Sequence, residues 1–174
     1  MGRMNANEFK ASDKMPLIVV LDDVRSMYNV GSVFRTADAF RVEAIYLCGI
    51  TAQPPHPEIH KTALGAEDTV EWVHFADTLE AVQTLKQHGY YVFSIEQCEG
   101  STKLQTLQLD TMQPQPKGFA IVMGNEVKGV KQEVVDSSNG CLEIPQYGTK
   151  HSLNVSTTAG MVIWEFAKQL IVDK

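Results

Sequence analysis

At 174 residues, with 44% apolar and 21% charged side chains, the chain has room for one domain with a substantial core. Its longest apolar runs, at 17–21 and 119–123, are strand-sized and exclude a membrane-spanning helix. The net charge of −6 counts against a generic nucleic-acid binder and, taken alone, favours a small-molecule enzyme; an RNA ligand would need a local basic face, for which Arg25, Arg35, Arg41, Lys61, Lys150 and His151 are the candidates.

In chain order, residues 1–14 are polar and lack the apolar stretch of a secretory signal, so a flexible lead is expected before a single domain over 15–174. Pro16 and the run at 17–21 predict a buried strand ending at Asp22 and Asp23. Asn29 is a candidate N-cap for a helix reaching Phe40, with Val33, Phe34, Ala37 and Phe40 on its apolar face. Residues 44–48 form the next expected strand. Pro54, Pro55 and Pro57 then predict a loop, because proline cannot complete either regular ladder. Asp77 and Glu80 frame a capping-box-like helix start, with Leu79, Val82 and Leu85 inward and Gly89 as the stop. Strands are expected at 90–95, 119–123 and 140–144, and the anchor-poor stretch 99–117 is expected to be a loop with at most one short element. In the last helix, Val155, Ala159, Val162, Ile163, Phe166, Ala167, Leu170 and Ile171 form a stripe suited to either a core or an interface. The three cysteines, Cys48, Cys98 and Cys141, are odd in number and contain no C-x-x-C. Reduced thiols and a cytoplasmic location are the expectation.

Strands alternating with helices imply an α/β fold: a mostly parallel sheet with helices on both faces. Such sheets bind ligands beyond the carboxyl ends of their strands, so polar, glycine-rich segments after strands carry the functional weight. Three stand out. In Asn29-Val-Gly31-Ser-Val-Phe-Arg35, a helix start leaves backbone amides open to an anion, and Arg35 is expected to project from the same end as Asn29. In Gly124-Asn-Glu126-Val-Lys-Gly129, Gly124 permits close approach by a ligand, Gly129 permits an unusual turn, and Glu126 can orient a partner. The third runs from Ile144-Pro through Gly148 and Lys150 to Ser152-Leu-Asn154-Val155, where Ser152 or Asn154 caps the last helix. Each also has an ordinary structural explanation as a cap, a turn or a solvated charge.

In order and spacing the three segments resemble the motifs of the SpoU (TrmH) class of RNA 2′-O-ribose methyltransferases, within the SPOUT superfamily: N-x-G-x-x-x-R, G-N-E-x-x-G, and I-P followed by S-L-N-V. The resemblance covers nearly the whole chain. It implies a C-terminal trefoil knot, S-adenosylmethionine bound through the backbone at Gly124, Ile144 and Leu153 (leaving S-adenosylhomocysteine as product), and a homodimer packed through the knot region with a shared active site. It assigns Arg35 the central part in catalysis, surrounded by Asn29, Glu126, Ser152 and Asn154. The resemblance allows two roles for Arg35, general base or electrostatic clamp on phosphate and developing alkoxide; a guanidinium stays protonated, which counts against the base and for the clamp.

Lys61 and Lys150 are candidate RNA contacts; Lys61 belongs to a stretch up to Glu67 that also resembles the family near its substrate. His56 and His60 lie four apart, but Glu58 is misplaced for H-E-x-x-H and Pro57 interrupts the spacing, so no metal is expected. The small size favours tRNA over rRNA as the substrate. Two alternatives stay open: a non-catalytic RNA-binding module of the same fold, and a nucleotide- or NAD-dependent enzyme, against which the missing glycine fingerprint weighs.

Overall fold

The computed structural model describes residues 2–150 and 152–174, so His151 lies outside the described residues. Seven strands form one sheet: β1 (Met15–Asp22), β2 (Val42–Cys48), β3 (Trp72–Phe75), β4 (Tyr90–Ile95), β5 (Thr102–Lys103), β6 (Gly118–Met123) and β7 (Gly140–Glu143). Their spatial order is β3-β2-β1-β6-β4-β7-β5, and every ladder is parallel. The mostly parallel α/β expectation holds. The chain builds outward from β1 through β2 to β3, then crosses to the other side, and β6 returns between β1 and β4. That reversal is a topological switch point, where carboxyl-end loops diverge and leave a crevice.

Alternation along β1 explains the two layers. Leu17, Val19 and Leu21 face a core shared with Phe34 and Ile59 and with Val162, Ile163 and Phe166 of the last helix. Ile18 and Val20 face a smaller core with Ala81, Val82, Leu85 and Val134. Helices α1 (Ala6–Ala11), α2 (Met27–Ala39), α3 (Pro57–Ala63) and α6 (Val155–Leu170) contribute to the first layer; α4 (Thr78–Gln87) and α5 (Gln132–Ser137) contribute to the second. A strand buried on both faces has no polar alternation, which is why the run at 17–21 is uninterrupted.

Several expectations are corrected. The lead is not irregular throughout: Asn5 caps α1 by accepting from the Glu8 N–H, and Phe9 is buried. The Lys14 ammonium donates to the Phe9 carbonyl at 2.6 Å and lies 4.9 Å from its ring centroid, fastening the segment down. Helix α2 begins earlier than Asn29, because the Ser26 hydroxyl accepts the Asn29 N–H at 3.2 Å and so serves as the N-cap. The proline-rich loop stops at His56, whose Nδ1 caps α3; Pro57 is the first helical residue, where the missing N–H costs nothing. Cys98 and Cys141 are joined in a disulfide, against the expectation of three reduced thiols. Ser94 and Ile95 pair with Cys141 and Leu142, so the turn leaving β4 carries Cys98 back onto β7. Cys48 stays free and buried, and burial with the nearby Asp22 carboxylate pushes its thiol up to about 12.

Candidate active site

A cleft of about 530 Å³ opens beyond the carboxyl ends of β4, β6 and β7 and is closed on its far side by the start of α6. Its walls come from Ile95–Gln97 after β4, residues 123–126 and Gly129 after β6, residues 142–147 at the end of β7, and Lys150, Ser152, Leu153, Val155 and Thr158. The second and third sequence segments, separated by fourteen residues, therefore both contribute to one cavity. Gly124, Glu126, Ile144, Lys150, Ser152 and Leu153 all border it; Asn29, Arg35, Lys61 and Asn154 do not.

The loop after β6 is a tight two-way bridge. Asn125 N–H donates to the Gly129 carbonyl at 3.1 Å, and Gly129 N–H donates back at 2.9 Å. The Asn125 side-chain oxygen accepts from the N–H groups of Val127 and Lys128, while its amide donates to the Asp23 carbonyl at 2.8 Å. Gly129 has φ +70, a left-handed backbone of the kind a glycine there permits. The reason for Gly124 is different from the one expected. A Cβ there would overlap the backbone of Gly129 and Val130, so the space is filled by the chain's own hairpin.

Glu126 joins this loop to the first segment. Its Oε2 accepts the Arg25 N–H at 3.0 Å; its Oε1 accepts the Ser26 N–H at 3.0 Å and the Asn29 side-chain amide at 3.3 Å. The first turn of α2 contains no acidic residue of its own, so a carboxylate from a hundred residues away occupies the positive end of that helix. Burial pushes the Glu126 carboxyl up, but the N–H groups of Ser26 and Arg25, with the Asn29 amide, outweigh it and hold the group below its ordinary value. Asn29 is buried and lies one turn inside α2 rather than at its cap.

Arg35 sits more than two turns into α2, exposed and away from the cleft, not at the end occupied by Asn29. Gly31 lies mid-helix with its amide inside the helical ladder. A Cβ there would overlap Thr62 and the Ile59 carbonyl of α3, so the glycine permits helix contact and offers no anion seat. Of the two candidate caps for α6, Asn154 does the capping, accepting from the N–H groups of Ser156 at 2.9 Å and Thr157 at 3.3 Å. Ser152 is left to the cleft. Lys61 is exposed and paired with Glu58 at 2.8 Å. His60 pairs with Glu67, and no metal-competent cluster occurs among the described residues.

Two features escaped the sequence reading. Glu96, directly after β4, lines the cleft and accepts the Val130 N–H at 2.7 Å, and its carboxylate fills the space a Gly129 side chain would need. Its position after a strand was the available signal. At the end of β1, the fully buried Asp22 accepts from the Thr78 hydroxyl at 2.6 Å and from the Lys131 N–H at 3.0 Å. The Lys131 ammonium bridges Asp22 at 3.1 Å and Asp23 at 2.8 Å. Burial lowers that ammonium's pKa, but Asp23 and Asp22 outweigh it, so it stays above the usual lysine value.

A parallel sheet with helices on both faces and a ligand-sized crevice beyond the carboxyl ends of its strands places the chain among the α/β proteins that bind ligands at that edge. The description of the SpoU rRNA Methylase family matches residues 16–164, and the chain belongs to that family. It is 30% identical over 157 residues to the 23S rRNA (guanosine-2'-O-)-methyltransferase RlmB of Neisseria meningitidis serogroup B, an alignment covering 90% of this chain and 60% of that protein. It is 28% identical over 156 residues to a putative TrmH family tRNA/rRNA methyltransferase of Staphylococcus saprophyticus, again covering 90% and 60%. The chain thus spans about 60% of the length of these relatives. Among solved structures, the AdoMet-bound rRNA methyltransferase from Sinorhizobium meliloti superposes with a TM-score of 0.81 at 26% identity, covering 94% of this chain and 60% of that one. The A. aeolicus TrmH/SpoU tRNA modifying enzyme, at 24% identity and a TM-score of 0.79, shares the fold over 94% of this chain and 79% of its own.

Proposed function

We propose that this chain transfers a methyl group from S-adenosylmethionine to a ribose 2′-hydroxyl of RNA, with ribosomal RNA as the substrate class. The observation that carries the reading is the convergence of the G-N-E-x-x-G and I-P/S-L-N-V segments on one cleft beyond the carboxyl ends of β4, β6 and β7. Against the expectation of tRNA from size, the relatives named as 23S rRNA methyltransferases favour rRNA.

The cleft fits the cofactor. Its volume is in the range of small-molecule sites, with Met123, Leu142, Ile144 and Leu153 offering apolar surface to an adenosyl group. Glu96, Glu126 and Glu143 line the same space, and their summed negative charge complements a cationic sulfur. Gly124, Ile144 and Leu153 hold the cofactor through their backbone in this reading, and Ser152 lies beside it. S-adenosylmethionine supplies, when bound, a methyl group activated by a sulfonium. Arg35 then grips the RNA phosphate and offsets the negative charge that develops on the 2′-oxygen, while the hydroxyl proton leaves to phosphate or water. Asn29 and Glu126 are positioning residues that hold α2 against the cofactor loop. Asn154 acts through the start of α6, and Lys61 and Lys150 contact RNA.

Arg35 and the cleft are separated within one subunit, so a second copy of the chain completes the site in this proposal. The exposed Val127 and Tyr147 beside the cleft, and Met161 and Trp164 on α6, supply apolar surface for that contact. The knot implied by the family resemblance, and a cytoplasmic location, belong to the same reading.

The test is incubation of the purified protein with radiolabelled S-adenosylmethionine and RNA from cells lacking the gene, fractionated into 23S rRNA, 16S rRNA and tRNA. Label recovered as a 2′-O-methylnucleotide in rRNA is expected. Label confined to tRNA would overturn the substrate class, and RNA binding without label would leave a non-catalytic binding module. Mixing Arg35→Ala with Leu153→Asp subunits should restore activity that neither variant has alone; a mixture that stays inactive would refute the shared site.

A further inference from the structure

We propose that the cleft between the N-terminal segment and the second half of α2 is a binding subsite for the RNA phosphate backbone; this rests on the RNA-methylation reading above. The cleft has a volume of about 580 Å³ and is walled by Arg3, Phe9, Arg35, Asp38, Arg41 and Thr69. The chain has four arginines, Arg3, Arg25, Arg35 and Arg41, all within its first 41 residues. Three of the four face this one cavity, in a protein whose net charge is −6. Among the described residues, none of them forms an ion pair. The one carboxylate in the wall, Asp38, accepts from the Thr69 hydroxyl at 2.7 Å.

Three permanently charged guanidiniums in one open cavity repel each other, and a polyanion offsets that repulsion. Phosphate suits the planar fork of arginine, and a cleft of this size admits a run of backbone rather than a lone ion. The cavity also contains Arg35, so a phosphate held here lies next to the residue assigned to the reacting ribose. The N-terminal segment makes one wall. It is anchored by the buried Phe9, whose carbonyl accepts from the Lys14 ammonium at 2.6 Å, and the next residue, Met15 at the start of β1, donates its N–H to the Arg41 carbonyl at 2.7 Å. The competing explanation is that Arg35 and Arg41 only complement the negative end of α2. It gives no role to Arg3, which lies far from that helix in sequence.

The experiment uses the full chain, labelled fragments of total RNA, and fluorescence anisotropy over a potassium chloride series. Arg3→Glu tests an exposed side chain, and Arg41→Asn suits the left-handed backbone at that position, φ +52. The double variant should bind RNA about tenfold or more weakly, and its log affinity against log salt should flatten by about 0.7 per lost phosphate contact. Arg41→Lys, which keeps the charge, should keep the slope. Thermal stabilisation by S-adenosylhomocysteine should be unchanged in all variants, because the cofactor cleft is separate. A double variant with wild-type affinity and slope overturns the subsite. If that variant also methylates RNA normally, the subsite alone falls; if the wild-type chain binds no RNA at any salt, the methylation reading falls with it.

Discussion

Glu126→Gln isolates what the acidic residue of the G-N-E-x-x-G segment does. Its two oxygens accept three N–H groups, from Arg25, Ser26 and Asn29. Glutamine has nearly the same shape but a single acceptor, so its NH₂ must face either the Arg25 N–H or the Ser26 and Asn29 donors. Hydrogen bonds to a charged group contribute about 1.5–3 kcal/mol each, and a carboxylate at a helix N-terminus adds about 0.3–1 kcal/mol. The site is partly exposed and the glutamine carbonyl keeps one bond, so the lower end applies: a net loss of about 1.5 kcal/mol. For a chain of this size that is a fall in Tm of roughly 3–6 °C. The pH dependence has a definite sign. Because the folded carboxyl is depressed, its contribution is fully present above the unfolded value of about 4.3 and disappears as pH falls through the folded one. Urea unfolding of both proteins from pH 7 to pH 3 measures this directly. The gap should be open at pH 7 and close on acidification; equal midpoints at pH 7, or a gap that ignores pH, would refute the clamp.

Three shorter predictions follow from neighbouring geometry. Gly31→Ala gains about 1 kcal/mol of helix propensity, but its Cβ meets the rigid Ile59 carbonyl, so overpacking of about 1–3 kcal/mol should dominate. A raised Tm in that variant would mean that α2 and α3 separate more easily than their contact implies. Arg35→Lys should lower turnover roughly a hundredfold at saturating cofactor while leaving S-adenosylhomocysteine binding intact, since lysine lacks the planar fork; near-normal turnover would contradict both the base and the clamp. Denatured but unreduced protein should take up one alkylating group, at Cys48, and reduced protein three; three without reductant would show that Cys98 and Cys141 are unpaired.

Elements that bury many apolar side chains were legible from the sequence. The strands β1, β4 and β6 and the helix α6 fall within a residue or two of their expected bounds, because burial of a whole face leaves a long, regular signature. Those that were missed have few anchors. β3 is an edge strand with no fully buried residue, α5 buries only Val134, and α1 only Phe9. The start of α2 was misplaced because Ser26 and Asn29 are both acceptable caps three residues apart, and the choice is settled by Glu126, which arrives from another part of the chain. Such long-range contacts leave no periodicity. The cystine was hidden for the same reason, since Cys98 and Cys141 are 43 residues apart and meet only through strand pairing.

The site separated along the same line between local and long-range information. Motif spacing picked out Gly124, Glu126, Ile144, Ser152 and Leu153, which gather at the carboxyl edge because strand ends are readable, but it also named Arg35 and Lys61, which lie elsewhere. It misjudged what several of them touch. Gly124 and Gly31 were read as openings for a ligand, yet each is filled by backbone of its own fold. Asn29 and Glu126 were assigned to chemistry and are found bonded to each other, coupling the helix of Arg35 to the loop after β6. That coupling gives Arg35 a consequence beyond its own charge. Arg35 lies six residues along α2 from Asn29, about 9 Å of helix rise. A small tilt of the helix start on the Glu126 carboxylate is therefore carried to the guanidinium. Loss of Glu126 should accordingly impair RNA turnover more than cofactor affinity, although Glu126 borders the cleft proposed for the cofactor and Arg35 does not.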